Sequence, residues 1–239
     1  SPITIIGQNA VIDIQSQTGS VVPIYAWASG GSYLVIDGLK FTTSVSGGLN
    51  GSGTVYLGSG ASHSSLQNLE IYNMAGHAPS SGDDCILFQN NGTFNTFSNI
   101  YVHDIKDCDI FRIWGHDVLI TSCTFSNFTN PNYGNSAIHA DFFQTFQDNN
   151  PSGQSYNVVI EKNRFINSPS SQIGNLSRDS AAGPFGWTFR NNLFKNCAKN
   201  LNCGIPNVYF FNNTFDGCGS LNGATIIYTT SGAWDSTGA

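Results

Sequence analysis

Acidic residues open three strand-like segments of this chain, and they are among its residues best suited to chemistry. The segments read DDCILFQ, DIFRIWG and DFFQTFQ. Their alignment predicts that Asp84, Asp109 and Asp141 lie in register on neighbouring strands. Arg178 continues the register on the next strand. Carboxylates stacked about 5 Å apart repel one another unless a cation, a shared proton or an arginine neutralises them. The pattern predicts either a calcium site formed by Asp84, Asp109 and Asp141 or a carboxylate with a perturbed pKa; for Asp84 or Asp109 alone, a turn-forming role is the alternative.

A histidine stands beside the last of these carboxylates. His139 precedes Asp141 by two residues, so both side chains point the same way if the strand is regular. Arg112 lies in the neighbouring acidic segment. A base and a cation beside a carboxylate suit proton transfer. We therefore predict His139, Asp141 and Arg112 as catalytic residues, with a purely structural histidine as the alternative.

Strand alternation predicts an exposed face next to these residues. It places Leu87, Arg112 and Gln144 on one side, and the two polar side chains make that side the outer one. Aromatic rings beside polar groups are typical of carbohydrate grooves, because flat rings stack on sugars while polar groups bind hydroxyls or carboxylates. The alternative is an interface between subunits. The predicted substrate-binding residues are Trp114, Phe142, Gln144, Phe146 and Arg178.

A sequence repeat indicates which elements position these residues. The pattern apolar-x-x-(Asn or apolar)-x-apolar occurs eight times. Each copy predicts two very short strands that flank a turn and that bury their apolar residues only against neighbouring copies. Asn9, Asn163, Asn192 and Asn213 occupy the turn position, which predicts a ladder of stacked asparagines. The last residues of the copies are Val11, Phe41, Ile71, Val102, Phe125, Phe165, Phe194 and Phe215.

The repeat predicts an all-β fold, namely a single-stranded right-handed parallel β-helix (a solenoid) of about eight coils. Only 10% of the residues are charged and 26 are glycine, which suits turn-rich β structure. No linker-like segment divides the sequence. We therefore expect residues 1–239 to form one β-helix domain.

The charge and the apolar runs exclude some classes of partner. The formal net charge is −6 with nine lysines and arginines, which gives little attraction for nucleic acid. No apolar run is long enough to span a membrane. Six cysteines and several Asn-x-Ser/Thr sequons favour export to the cell exterior or to a virion surface. Cys197 and Cys218 are predicted to stack and could form a disulfide, with Cys203 as a rival partner for either.

The segments SPITIIGQNAVID, SYLVIDGLKF and NVVIEKNRFINS resemble coil sequences of the pectate-lyase superfamily, especially the group of alginate lyases and chondroitinase B. The resemblance implies a polysaccharide-acting β-helix that binds acidic polysaccharide. It also implies a capping helix before the first coil, which this sequence lacks, so we expect the N-terminal cap to be missing or replaced by a partner. The Gly-Glu-x-Glu and Lys-Ser signature of that group is absent; SAIHADFFQTF stands in its place.

Three functions follow as hypotheses. The first is a lyase that cleaves uronate-containing polysaccharide by β-elimination, with Arg112 or His139 as base and with Arg178 or calcium on the carboxylate. The second is a non-catalytic carbohydrate-binding or fibre module of the tailspike kind, which would form homo-oligomers or stack end to end. The third is a glycoside hydrolase, because the segment from Gly82 to Cys85 resembles the Gly-Asp-Asp-Cys segment of polygalacturonases.

Overall fold

Parallel strands form nearly all the regular structure that can be described. The computed structural model contains 23 strands, numbered here in chain order, and no helix among the described residues. No helix in that part of the chain is therefore long and apolar enough to cross a membrane. The structure describes residues 3–15, 24–26, 33–44, 52–76, 85–130, 140–145, 155–170, 172–176, 186–197 and 201–218.

The strands form three parallel sheets, and each sheet takes every third strand. This order is that of a right-handed parallel β-helix, as the repeat predicts. Sheet 1 contains β1 (Ile3–Ile6), β4 (Leu34–Asp37), β7 (Ser65–Gln67), β10 (Thr96–Ser98), β13 (Val118–Thr121), β16 (Val158–Glu161), β19 (Trp187–Arg190) and β22 (Val208–Phe211). Sheet 2 contains β2 (Val11–Asp13), β5 (Lys40–Thr42), β8 (Glu70–Tyr72), β11 (Tyr101–Lys106), β14 (Thr124–Thr129), β17 (Arg164–Ser168), β20 (Leu193–Cys197) and β23 (Thr214–Asp216). Sheet 3 contains β3 (Ile24–Ala26), β6 (Ser52–Leu57), β9 (Cys85–Asn90), β12 (Cys108–Ile113), β15 (Asp141–Thr145), β18 (Gln172–Leu176) and β21 (Leu201–Cys203).

Strand register confirms seven of the eight motif copies. The first apolar residue of each copy lies beside that of the next in sheet 1, as Ile160 does beside Phe189. The last apolar residue does the same in sheet 2, as Phe165 does beside Phe194. The aligned residues are Ile36, Leu66, Phe97, Ile120, Ile160, Phe189 and Phe210 in sheet 1, and Phe41, Ile71, Val102, Phe125, Phe165, Phe194 and Phe215 in sheet 2.

The alignment of the first copy was wrong by one residue at each end. Ile5, not Ile6, lies beside Ile36, and Ile12, not Val11, lies beside Phe41. The first turn is therefore two residues longer than the turns that follow. The fixed spacing of the motif could not accommodate this insertion.

Aromatic rings form much of the buried column. Phe165 and Phe194 stack with ring centroids 4.6 Å apart, and Phe194 and Phe215 follow at 4.9 Å. Phe189 and Phe210 stack at 4.6 Å on the sheet 1 side. These separations match the spacing of neighbouring strands, about 4.8 Å, because in-register strands place like residues directly above one another.

The asparagine ladder forms at three of its four predicted members. Asn192 Nδ2 donates to Ile160 O at 2.9 Å, and Asn192 Oδ1 accepts the N–H of Asn163 at 2.9 Å. The N–H of Asn192 in turn donates to Asn213 Oδ1 at 3.0 Å. Each side-chain amide thus satisfies one carbonyl and one N–H of the preceding coil. Asn9 is exposed and has a φ of 66°, so it instead forms part of the longer first turn.

We expect Asn192→Ala to lower the free energy of unfolding by about 2 kcal/mol, because it leaves the Ile160 carbonyl and the Asn163 N–H of the preceding coil without their hydrogen-bond partner. Chemical denaturation measures the loss. Thr188→Ala, on the outer face of the neighbouring strand β19, is the control and should change stability by no more than about 0.5 kcal/mol. Equal effects in the two variants would contradict a supporting role for the ladder.

Candidate functional site

A row of polar side chains runs along the outer face of sheet 3. Gln89 lies beside Arg112, and Arg112 lies beside Gln144 on the next strand. The row continues to Tyr56 on one side and to Asn175 on the other. Four of the five side chains are partly exposed, and Gln144 is buried. Each of five successive strands of sheet 3 therefore contributes one polar group to the same line.

Arg112 is the cation at the centre of this row. Its Nε donates to Gln144 Oε1 at 2.5 Å, and its Nη2 donates to Asp109 Oδ2 at 3.0 Å. The side chain of Asp109 is fully buried, whereas that of Arg112 is 15% exposed. A buried carboxylate is costly unless it is paired and hydrogen-bonded. Arg112 therefore both neutralises Asp109 and presents positive charge at the surface.

The second carboxylate of the site is next to the first. The backbone N–H of Asp141 donates to Asp109 Oδ1 at 2.9 Å, and both residues are buried. Ile86, the register partner of Asp109, is buried but lies outside the core cluster. Together with the contact from Arg112, this indicates that Asp109 lies on the outer side of sheet 3, beneath the polar row.

Trp114 supplies the aromatic surface of the site. Its ring lies 6.0 Å from the guanidinium carbon of Arg112, within the range of a cation–π contact. The residue is partly exposed. Five predicted residues are thus brought together: Asp109, Arg112, Trp114, Asp141 and Gln144.

The prediction that Phe142 is exposed was wrong. Phe142 is fully buried, and its ring packs against Phe125, Phe128 and Phe165 in the core. The next residue, Phe143, is buried in the same core. Two successive inward residues break simple strand alternation, and sequence periodicity cannot show such a break.

The predicted register of sheet 3 also needs correction. Asp109 lies beside Ile86, so Asp84 is not its register partner. Asp141 lies beside Gln172, so Arg178 is not in register with it. Leu87 is buried in the core, and Gln89 takes the predicted place of Leu87 beside Arg112. His139, Phe146, Arg178 and Asp84 lie outside the described residues.

Tyr56, Gln89 and Asn175 complete the row but were missing from the predicted site. For Gln89 the sequence carries a signal, because Phe88-Gln89 has the same form as Phe111-Arg112 and Phe143-Gln144. The repeated phenylalanine marks the inward position, and the polar residue after it marks the outward one. Tyr56 follows a valine and Asn175 follows a glycine, so neither has a preceding phenylalanine to identify it as part of the row.

The described residues of the site do not by themselves form a calcium site. Both oxygens of Asp109 already accept hydrogen bonds, one of them from a cation. Calcium takes about six to eight oxygen ligands. Among the described residues, no group of three or more His, Cys, Asp or Glu could hold a metal ion. A calcium site that includes Asp84 stays a prediction.

A further buried acid lies in the turn between sheets 2 and 3. Asp107 is only 8% exposed, and within the described part of the chain its Oδ1 has no hydrogen-bond partner. Burial raises the pKa of this carboxyl. Its φ of 52° is in the left-handed region, where Asn and Asp are the most common residues besides glycine. The charged form of Asp107 therefore opposes folding.

Comparisons of the chain with protein-family models, with curated proteins and with solved structures found no match. The fold assignment consequently depends on the sheet order and the strand register described above.

We expect Arg112→Ala to lower the free energy of unfolding by about 3 kcal/mol, since it removes the cation that neutralises a buried carboxylate. The double variant Asp109→Asn/Arg112→Ala should recover much of this loss. Chemical denaturation measures both. The control is Arg190→Ala, whose exposed side chain pairs with Glu161 at 2.6 Å; a surface pair contributes at most about 1 kcal/mol. Losses of equal size at the two arginines would refute the structural role of Arg112.

Asp107→Asn should stabilise the protein at neutral pH by on the order of 1 kcal/mol, because the variant no longer buries a charge. The gain should vanish in acid, where Asp107 is protonated in the folded and unfolded chains alike. Asp104→Asn is the matched control. Asp104 also has a left-handed φ, but hydrogen bonds from His103 and Asn127 lower its pKa, so its ionised form stabilises the fold above the unfolded pKa.

Thermal unfolding at neutral and acidic pH distinguishes the two aspartates. Asp104→Asn should lower the melting temperature at neutral pH, and the loss should shrink as the pH falls through the depressed pKa. A loss of stability at neutral pH in Asp107→Asn would show that the Asp107 carboxylate has a partner that compensates its burial.

Proposed function

We propose that the outer face of sheet 3 binds an acidic polysaccharide and that the protein cleaves it by β-elimination, as an exported protein of the pectate-lyase superfamily. The observation that carries the proposal is the surface cation Arg112 at the centre of the polar row, beside the ring of Trp114. The β-helix architecture and the coil motifs agree with the superfamily.

The shape of the row favours an extended ligand. Polar side chains from five successive strands lie in one line, and neighbouring strands are about 4.8 Å apart. A chain molecule lying along this line meets a partly exposed polar side chain from four of the five strands. Hydroxyl groups suit the partly exposed Gln89 and Asn175, which can both donate and accept hydrogen bonds, whereas the buried Gln144 orients Arg112.

The charge of the site favours an acidic ligand. Gln144 and Asp109 hold the guanidinium of Arg112 in a fixed orientation. A planar guanidinium in a fixed orientation suits a carboxylate, which it can bind through parallel hydrogen bonds. Trp114 offers an aromatic surface for a sugar ring next to this cation.

His139 is the better of the two predicted bases. Arginine stays protonated in proteins, so Arg112 is a poor proton acceptor. In the proposed reaction a neutral His139 takes the C5 proton of the uronate, while Arg112 stabilises the charge that develops on the carboxylate. The electron pair of the C5–H bond forms the C4–C5 double bond, the C4–O bond breaks, and the oxygen of the departing sugar is protonated from solvent.

A panel of pectate, alginate and glycosaminoglycans tests the proposal, with calcium or with EDTA. We expect a rise in the ultraviolet absorbance of the unsaturated uronate on at least one substrate. A signal lost in EDTA would support the predicted calcium site. His139→Ala should abolish the rise and leave binding in place.

Binding is tested separately by calorimetry with the same polysaccharides. Trp114→Ala should weaken binding roughly tenfold through loss of the aromatic contact. Tyr209→Ala is the matched control, since Tyr209 is a half-exposed aromatic on sheet 1, away from the row. The site assignment fails if both variants bind as the wild type does, or if neither binding nor cleavage occurs.

A non-catalytic carbohydrate-binding or fibre module is the second candidate. The hydrogen bonds that hold Arg112 between Gln144 and Asp109 favour this role, because they make it a binding group and not a proton acceptor. Binding without new unsaturated or reducing ends would establish this alternative. Homo-oligomers or end-to-end stacks, detected by sedimentation, would accompany a fibre.

A further inference from the structure

Two cysteines lie next to each other at the end of sheet 2. Lys195 on β20 lies beside Asp216 on β23, and the same register places Cys197 beside Cys218. Neighbouring strands lie about 4.8 Å apart, within the Cα separation of roughly 4.4–6.8 Å that a disulfide requires. Both residues are thiols in the structure. The backbone therefore needs no large movement to join them.

The two thiols differ in exposure and in acidity. Cys197 is buried, at 2% exposure, whereas Cys218 is partly exposed. The hydrogen bond from the Cys197 thiol lowers the pKa of Cys218 to about 6. The same contact, together with burial, raises the pKa of Cys197. A partly exposed thiol with a lowered pKa thus lies beside a shielded thiol, an arrangement that suits thiol–disulfide exchange.

We propose that Cys197 and Cys218 form a redox-active pair that closes into a disulfide between two coils by exchange with a small disulfide such as oxidised glutathione. This site is independent of the proposed polysaccharide face on sheet 3.

The exchange takes place in two steps. The Cys218 thiolate attacks one sulfur of oxidised glutathione, which forms a mixed disulfide and releases one glutathione thiolate. That thiolate takes the proton of Cys197. Cys197 then attacks the sulfur of Cys218, forms the protein disulfide and expels the second glutathione, which is protonated from solvent. The two protein thiols are oxidised, and one molecule of oxidised glutathione is reduced to two of glutathione.

The other cysteines provide internal controls. Cys85 and Cys108 lie in register on β9 and β12, but both are fully buried. Burial raises the pKa of Cys108 well above its usual range. Cys203 lies in sheet 3, and burial raises its pKa too. We expect these thiols to react slowly, although one pair has the same register geometry.

Closing the pair would attach the coil formed by β22 and β23 covalently to the coil before it. In a stack of coils each repeat is held mainly by its contacts with the neighbouring repeats. The disulfide would join β20 to the chain just after β23, and β20 and β23 are neighbouring strands of sheet 2.

The test treats the reduced full chain with oxidised glutathione near pH 7, followed by thiol counting and peptide mass mapping. We expect the six thiols of the chain to fall by two, with one cross-linked peptide that joins Cys197 to Cys218. Cys203→Ala should give the same product. A count that stays at six, or a cross-link that involves Cys203, would overturn the proposal.

Alkylation with iodoacetamide across the pH range tests the pairing in a second way. In the wild type the rate at Cys218 should reach half its maximum near pH 6. Cys197→Ala removes the hydrogen bond to the thiolate, so this midpoint should rise by at least one pH unit, towards the usual thiol value of about 8.5. With oxidised glutathione the variant should stop at the mixed disulfide on Cys218. An ordinary midpoint in the wild type would contradict the proposal.

Discussion

Parallel hydrogen bonding between coils places each side chain above its counterpart on the neighbouring coil, at a separation of about 4.8 Å. Like residues therefore stack on like residues. Phe165 and Phe194 gain ring contacts from this arrangement, and Asn163 and Asn192 gain a ladder of hydrogen bonds. For the carboxylates of Asp109 and Asp141 the same arrangement is unfavourable, because like charges are brought close together. The stacked carboxylates need a neighbouring cation, and the ion pair between Arg112 and Asp109 supplies it.

Arg112 resolves the unfavourable stacking beneath the polar row. It pairs with the buried carboxylate of Asp109, which would otherwise be costly to bury. The same residue is the surface cation on which the proposed polysaccharide site depends. Stability and recognition are therefore linked at one position, and a loss of activity in an Arg112 variant has two explanations. The double variant with Asp109→Asn separates them.

Much of the fold could be predicted from the sequence because the buried apolar residues recur once in each coil. Phe41 and Phe215 belong to one column, and the motif aligned the residues between them without structural information. It failed at Ile6 and Val11, because the first turn is longer. The site was less predictable. The sequence correctly placed Arg112, Asp109 and Gln144 together. It assigned Phe142 to the wrong face, because the order of polar and apolar residues does not reveal a break in strand alternation. The loops vary in length, and a repeat motif cannot fix the register across them.

The short turn between sheets 1 and 2 has a consequence for how this molecule could be altered. From the second motif copy onward this corner keeps the same length, while the distance between successive copies ranges from 21 residues, between Phe194 and Phe215, to 40, between Phe125 and Phe165. The differences in coil length therefore lie at the other corners of each coil. A foreign peptide grafted at those corners would be displayed in rows with a spacing fixed by the scaffold, while the corner between sheets 1 and 2 would preserve the pitch of the superhelix.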